Sequence, residues 1–240
     1  MHYLIFILIA PLLFLQGKRV KRNTPKLPEA AGPRAGRVGE GCDISLLVFG
    51  DSAAAGVGVE SQQQALIGVV SQALANEYRV EWRLLANSGY NTAQAMRMLR
   101  TELGTQSNLR FDAVIVSLGV NDVLSPLSAK RWIEQQKILV ELLSVELDCQ
   151  TVVLTRVPPM GDFPVLPQPL RWFLGRRSQE FNRHLEQFSI QEPRFTLLDF
   201  GHQLDAEAMA IDGFHPGELI YRDWGLSAAK AILLNKSKVN

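Results

Sequence analysis

Cysteine is scarce in this chain, and so is any excess of charge. Two cysteines, Cys42 and Cys149, in 240 residues are too few for a disulfide framework. No C-x-x-C pair or His/Cys cluster gives the ligand spacing of a zinc site. A formal net charge of only +1 gives no overall reason to expect nucleic acid as a partner. The glycine-containing loops lack the Gly-Lys-Ser/Thr ending of a nucleotide phosphate loop. There is no G-x-S-x-G elbow either, because Ala54 stands where that motif requires its last glycine. No internal repeat is present.

What the chain does have is enough apolar material for one core. With 47% apolar and 20% charged residues, it can bury a single sizeable α/β domain without covalent staples. The N-terminus stands apart. Tyr3 to Leu15 is almost wholly apolar and is followed by Gly17-Lys18-Arg19-Val20-Lys21-Arg22. This run is shorter than the ~20 residues of a usual spanning helix. A secretory signal carries its positive charge before the apolar run and a small-residue cleavage site after it; here the basic cluster comes after. Residues 1–16 are therefore read as an uncleaved anchor or membrane-surface segment, with a signal-like segment or a core helix as the alternatives. The positive-inside rule puts the remainder on the cytoplasmic side, whereas a signal would export it. Residues 17–41, basic and rich in Pro and Gly, read as a linker, and 42–240 as the folded domain.

Along that domain, strands and helices alternate. Ser45–Phe49, Ala113–Leu118 and Thr151–Thr155 are near-continuous apolar runs of the kind a strand buried on both faces requires, and Val80–Ala86 and Phe195–Leu198 also read as strands. Helical spacing covers Gln62–Tyr78, Thr92–Leu103, Ala129–Leu147, Ser178–Phe188 and Leu219–Leu234. This alternation predicts a parallel sheet of about five strands covered by helices on both faces, with functional loops at the carboxyl ends of the strands.

Those loops carry polar residues of the types that acyl transfer needs. Ser52 ends the first strand, Asn87-Ser88-Gly89 follows the second, Gly119-Val120-Asn121-Asp122 the third, and Asp212-Gly213-Phe214-His215 precedes the last helix. A serine is a useful nucleophile only with a base beside it, and His215 is the best candidate among four histidines. Asp212, three residues earlier, suits the role of fixing the imidazole tautomer. The backbone N–H groups of Ser52 and Gly89 and the side-chain amide of Asn121 are donors of the right type for an oxyanion. His184, four residues after Glu180, reads as a surface pair rather than a metal site, and His202 with Asp199 likewise carries no metal signal.

GDSAAAG, Asn87 to Gly89, GVND and DGFH, in that order, resemble the four sequence blocks of the SGNH (GDSL-type) hydrolases. The resemblance covers Ser45 to about Leu234. It implies a flavodoxin-like, three-layer α/β/α fold and metal-free, cofactor-free hydrolysis of esters. It also implies Ser52 as nucleophile, Asp212 and His215 as the catalytic pair, and Ser52, Gly89 and Asn121 as oxyanion donors. Two departures are visible: Ala53 replaces the leucine of the name motif, and NSGYNT lacks the second glycine often found in the second block. The expected activity is that of a serine esterase or lipase-like hydrolase on a small-molecule or lipid ester. An O-acetylated carbohydrate, a thioester, or a silent binding role on the same fold stand as alternatives.

One more segment is unusual. Val157 to Gly175 contains five prolines after Val157 and reads as too proline-rich for a regular element. Phe163, Val165, Leu166, Leu170, Trp172 and Phe173 are candidates to wall an acyl pocket, and Arg171, Arg176 and Arg177 to form a solvated face or meet lipid phosphate.

Overall fold

The computed structural model describes residues 2–105, 109–199 and 206–239; His202 lies outside them. Its centre is one six-stranded sheet in the order β1-β3-β2-β4-β5-β6. The strands are β1 (Ala35–Val38), β2 (Cys42–Gly50), β3 (Tyr78–Ala86), β4 (Ala113–Ser117), β5 (Thr151–Thr155) and β6 (Phe195–Leu198). From β3 to β6 all pairings are parallel, and β1 pairs antiparallel on the outside of β3. The central strands β4 and β5 are buried at every position, which is why they read as unbroken apolar runs.

Alternate residues of the strands feed two separate cores. Leu47, Phe49, Val114, Val116, Val152 and Leu154 face one cluster, which is covered by α3 (Thr92–Thr105), α5 (Ala129–Glu141) and α6 (Leu170–Gln191). Leu46, Val48, Ile115 and Val153 face the other, covered by α2 (Leu66–Leu74) and α7 (Glu218–Val239). The result is the expected three layers. The carboxyl ends of β2 to β5 all point to one edge, where the site lies.

The first helix, α1 (His2–Asn23), takes in both the apolar run and the basic cluster. Leu13 is buried against the first core, with Ile9 and Val20 partly packed on it. The Gln16 side chain donates to Gln168 C=O at 2.8 Å and accepts from Leu170 N–H at 3.1 Å. Leu12, Phe14 and Leu15 stay exposed. Among the described residues no helix is long and apolar enough to cross a membrane.

Three expectations need correction. The stretch 17–41 is not all linker. Its first residues continue α1, and Ala35–Val38 pairs with Val80–Arg83, while Ala30 is buried. Pro and Gly mark the turns around this strand, not a free tether. The sheet therefore has an antiparallel sixth strand beside its five parallel ones. The proline-rich stretch is also more ordered than its composition implies: a 3₁₀ turn spans Met160–Asp162 and α6 begins at Leu170. Pro164, Pro167 and Pro169 precede the helix, where they cost no helical hydrogen bond. Finally, α2 starts at Leu66 and not at Gln62, and residues 52–58 are successive turns.

Candidate active site

Gly50 ends β2 so close to β4 that a Cβ there would lie 2.2 Å from Ser117 C=O. Glycine is thus required for the chain to turn at this point. Asp51 N–H donates to Ser117 C=O at 3.1 Å, and the chain then coils tightly, with Ala55 N–H on Asp51 C=O at 2.9 Å and Val57 N–H on Ser52 C=O at 3.0 Å. The buried Tyr221 of α7 fastens this coil: its hydroxyl lies 3.0 Å from Ala53 C=O and 2.8 Å from Val57 C=O. Ser52 is left half-buried on the floor of a cleft.

The loop before α7 brings the partners. Met209 bridges Pro216, Ala210 N–H donates to His215 C=O at 2.9 Å, and Gly213 N–H to Ala210 C=O at 2.8 Å. This closed turn holds His215 so that Nε2 is 3.0 Å from Ser52 Oγ and Nδ1 is 2.5 Å from Asp212 Oδ2. The other carboxylate oxygen of Asp212 accepts from the N–H groups of Phe214 and His215, both at 2.9 Å. Burial alone pushes the Asp212 carboxyl up, but the bonds from the His215 ring and from these two amides outweigh it and hold the group below the usual carboxylate range. Asp212 is thus an ionised acceptor beneath the imidazole, almost completely shielded, with its side chain 1% exposed against 19% for His215.

The two remaining loops stand beside this chain of groups. Gly89, at φ +83°, has nothing within 4 Å of the place a Cβ would occupy. The N–H groups of Ser52 and Gly89 have no partner among the described residues. Asn121, in the short helix α4 (Val120–Leu124), is engaged: Nδ2 donates to Tyr90 C=O at 3.0 Å and to Asp51 Oδ2 at 3.3 Å. The structure therefore brings Ser52, His215 and Asp212 into one hydrogen-bonded line. It leaves two backbone donors free, and it shows the third donor type occupied.

Two buried carboxylates were not among the residues singled out as catalytic or oxyanion-binding. Asp51 accepts from Ala53 N–H at 3.1 Å as well as from Asn121; burial pushes its carboxyl up to about 7, against the pull of the Ala53 amide and of His215. Asp122 is fully buried and, through burial, also raised above the ordinary carboxylate range, although Thr92 bonds it with both N–H and hydroxyl. Trp132 and Gln136 of α5 both donate to the Thr92 oxygen at 3.1 Å. This network locks α3, α4 and α5 together behind Asn121. The adjacency of Asn121 and Asp122 was the available signal, but partners thirty and more residues away are not readable from spacing.

Of the six residues considered for an acyl pocket, Phe163 lines the cleft, set edge-on to Phe214 at 5.2 Å. Leu166 and Leu170 are core, Val165 and Phe173 pack on it, and Trp172 is 44% exposed. Leu118, Val120, Pro158, Met209 and Ile220 are among its other walls. The arginines do not form one solvated face. Arg177 donates to the carbonyls of Val123, Ser125 and Leu127, and Arg171 to those of Leu166 and Pro164.

The sequence signature of the GDSL-like Lipase/Acylhydrolase family matches residues 48–222. Similar folds occur in TesA, at 21% identity and a TM-score of 0.61 over 82% of this chain and 99% of that one. The native aryl esterase of M. Smegmatis aligns at 21% identity and 0.63 over 80% and 99%. Est24, a carbohydrate acetylesterase from Sinorhizobium meliloti, aligns at 19% identity and 0.60, again over 80% and 99%. At such identities the likeness is one of fold. No curated protein sequence matches the chain.

Proposed function

The chain belongs to the GDSL-like lipase/acylhydrolase family of ester hydrolases, and from that premise we propose that it cleaves carboxylic esters through an acyl-enzyme on Ser52. The observation that carries the proposal is the continuous line from Ser52 Oγ through His215 to Asp212, at 3.0 and 2.5 Å, closed between residues 163 positions apart in the chain.

In the first half-reaction His215 Nε2 takes the Ser52 proton as the oxygen attacks the ester carbonyl. The ionised Asp212 fixes the Nδ1–H tautomer and stabilises the imidazolium. The tetrahedral oxyanion is met by the N–H groups of Ser52 and Gly89 and by Asn121 Nδ2. Asn121 joins by exchange: its longer bond, to Asp51, gives way to the oxyanion, while the shorter one to Tyr90 C=O keeps the amide oriented. His215 then protonates the leaving alcohol, which departs, and a water activated by the same ring releases the acid. Phe163, Phe214 and their apolar neighbours receive the acyl group.

We also assign α1 to a membrane surface. Its exposed Leu12, Phe14 and Leu15 precede Lys18, Arg19, Lys21 and Arg22, an arrangement suited to anionic lipid headgroups of a cytoplasmic leaflet. A lipid ester is then the natural substrate class, with a soluble acetyl ester or thioester as competitors on the same site.

A fluorophosphonate probe tests the chemistry. Covalent labelling should map to Ser52 and disappear in both Ser52→Ala and His215→Ala, with turnover of p-nitrophenyl esters down by ~10³-fold or more. An active Ser52→Ala enzyme in a clean preparation would move the nucleophile elsewhere. Esters of increasing chain length, with an acetylated sugar and a thioester beside them, rank the substrate classes.

A further inference from the structure

One stretch of chain ahead of the family signature touches both loops of the site. At one end it meets the coil that follows Ser52. Ala30 N–H donates to Ala55 C=O at 3.3 Å, Ala31 N–H to Glu60 C=O at 2.9 Å, and the buried Gln62 amide donates to the carbonyls of Ala30 and Ala55 at 3.1 and 3.0 Å. Its Glu29 reaches the loop of Gly89. One oxygen of that carboxylate accepts from Ser88 N–H at 3.1 Å and from Ser88 Oγ at 2.7 Å. The other pairs with Arg34 Nη2. Arg34 in turn donates through Nη1 to Ala86 C=O at 2.7 Å, at the end of β3.

We propose that Glu29, held by Arg34, is a positioning residue for hydrolysis: it fixes the Asn87–Gly89 turn so that the Gly89 N–H meets the oxyanion. This rests on the reading of Gly89 as a donor. The turn needs such a brace. Asn87, Ser88 and Gly89 are all exposed, so no packed side chain fixes them, and the glycine itself is free to leave φ +83°. The backbone bonds that hold the turn are long, 3.3 Å from Tyr90 N–H to Asn87 C=O and 3.2 Å from Asn87 N–H to Gly50 C=O. A charge-assisted bond from an amide to a carboxylate is the strong kind. By occupying the Ser88 amide, Glu29 also decides which of two successive N–H groups is left for substrate. Arg34 sets the carboxylate in place and ties it to the strand end from which the turn departs.

The test uses the full chain and p-nitrophenyl acetate. Glu29→Ala should lower kcat by about tenfold to a hundredfold, the range expected when a reacting group is misplaced by a fraction of an ångström to one, with KM within about twofold of wild type and the melting temperature nearly unchanged. Glu29→Gln keeps a carbonyl oxygen for Ser88 and should recover most of the loss. A merely structural brace would instead lower the melting temperature and leave kcat per folded molecule intact, and that result overturns the proposal. So does equal loss in the Gln and Ala variants. Asn121→Ala, measured alongside, separates the two levels. If it loses kcat while Glu29→Ala does not, only the Glu29 assignment is wrong. If neither loses kcat, the oxyanion hole as a whole is misplaced and the Glu29 proposal falls with it.

Discussion

Asn121→Ala is the substitution on which the oxyanion assignment turns, because the amide nitrogen proposed as an oxyanion donor is also a structural one. In the ground state Nδ2 donates to Tyr90 C=O at 3.0 Å and to Asp51 Oδ2 at 3.3 Å. Alanine removes both bonds. The first is an ordinary neutral bond worth about 1 kcal/mol net. The second is long, but it leaves an oxygen of a fully buried carboxyl without its donor, adding a penalty of about 1–2 kcal/mol. Together these predict a loss of about 2–3 kcal/mol, hence a melting temperature lower by roughly 4–12 °C for a domain of this size. The kinetic effect has another origin. Loss of one oxyanion donor costs about 10²–10³ in kcat, with KM nearly unchanged because the interaction belongs to the transition state. The two effects are separable when kcat is expressed per site titrated with fluorophosphonate and melting is followed by circular dichroism on the same preparation. A destabilised variant that keeps kcat within about threefold of wild type would refute the reasoning and reduce Asn121 to a strut between Tyr90 and Asp51.

Three further outcomes concern a buried carboxyl and the N-terminal segment. Asp51, pushed up to about 7 by burial, ionises in the unfolded chain near 3.8. Below the lower value both states hold the proton and no cost arises. As pH rises towards 7 only the folded state keeps it, so this residue lowers stability by up to about 1.4 kcal/mol per pH unit, roughly 4 kcal/mol in all. Asp51→Asn should therefore gain stability relative to wild type between pH 4 and 7.5 in urea titrations, and parallel pH profiles would show that Asp51 is ionised in the native state. Removal of residues 1–24 should release the enzyme from anionic vesicles in flotation assays while preserving activity on small soluble esters. Removal of 1–40 should in addition lower the melting temperature and kcat, since Glu29, Ala30, Arg34 and β1 go with it; equal melting of the two truncated forms would deny this segment any part in the fold.

What was readable in the sequence follows from how each residue is held. The strands β4 and β5 were legible to within a residue because burial at every position leaves no room for polar alternation. The meeting of Ser52, Asp212 and His215 was legible because acyl transfer asks for these residue types on loops at one sheet edge. β1 was not: Ala-Gly-Arg-Val is half exposed, short and poor in strand formers, and its partner β3 lies more than forty residues on. The start of α6 was hidden by prolines that precede the helix and so look like loop. Asp51 invites a local reading as a cap, and it does bond Ala53 N–H. Its second bond, to Asn121, depends on β2 and β4 lying side by side, which spacing does not reveal. Glu29 was missed for the same reason, since its meaning comes from Ser88, 59 positions away.

β1 also bears on how molecules meet one another. Without it, the sheet would end at β3, and the outward amides and carbonyls of Val80–Arg83, which now face Ala35–Val38, would form an open ladder. Such a ladder is a template for strand pairing between chains and hence for aggregation. β1 closes it with four residues, too few to make a good template in turn, and it carries a charge, Arg37, ion-paired at 3.2 Å to Glu81, its partner across the ladder. If α1 holds the chain at a membrane surface as proposed, the local concentration there makes a blunted edge matter more.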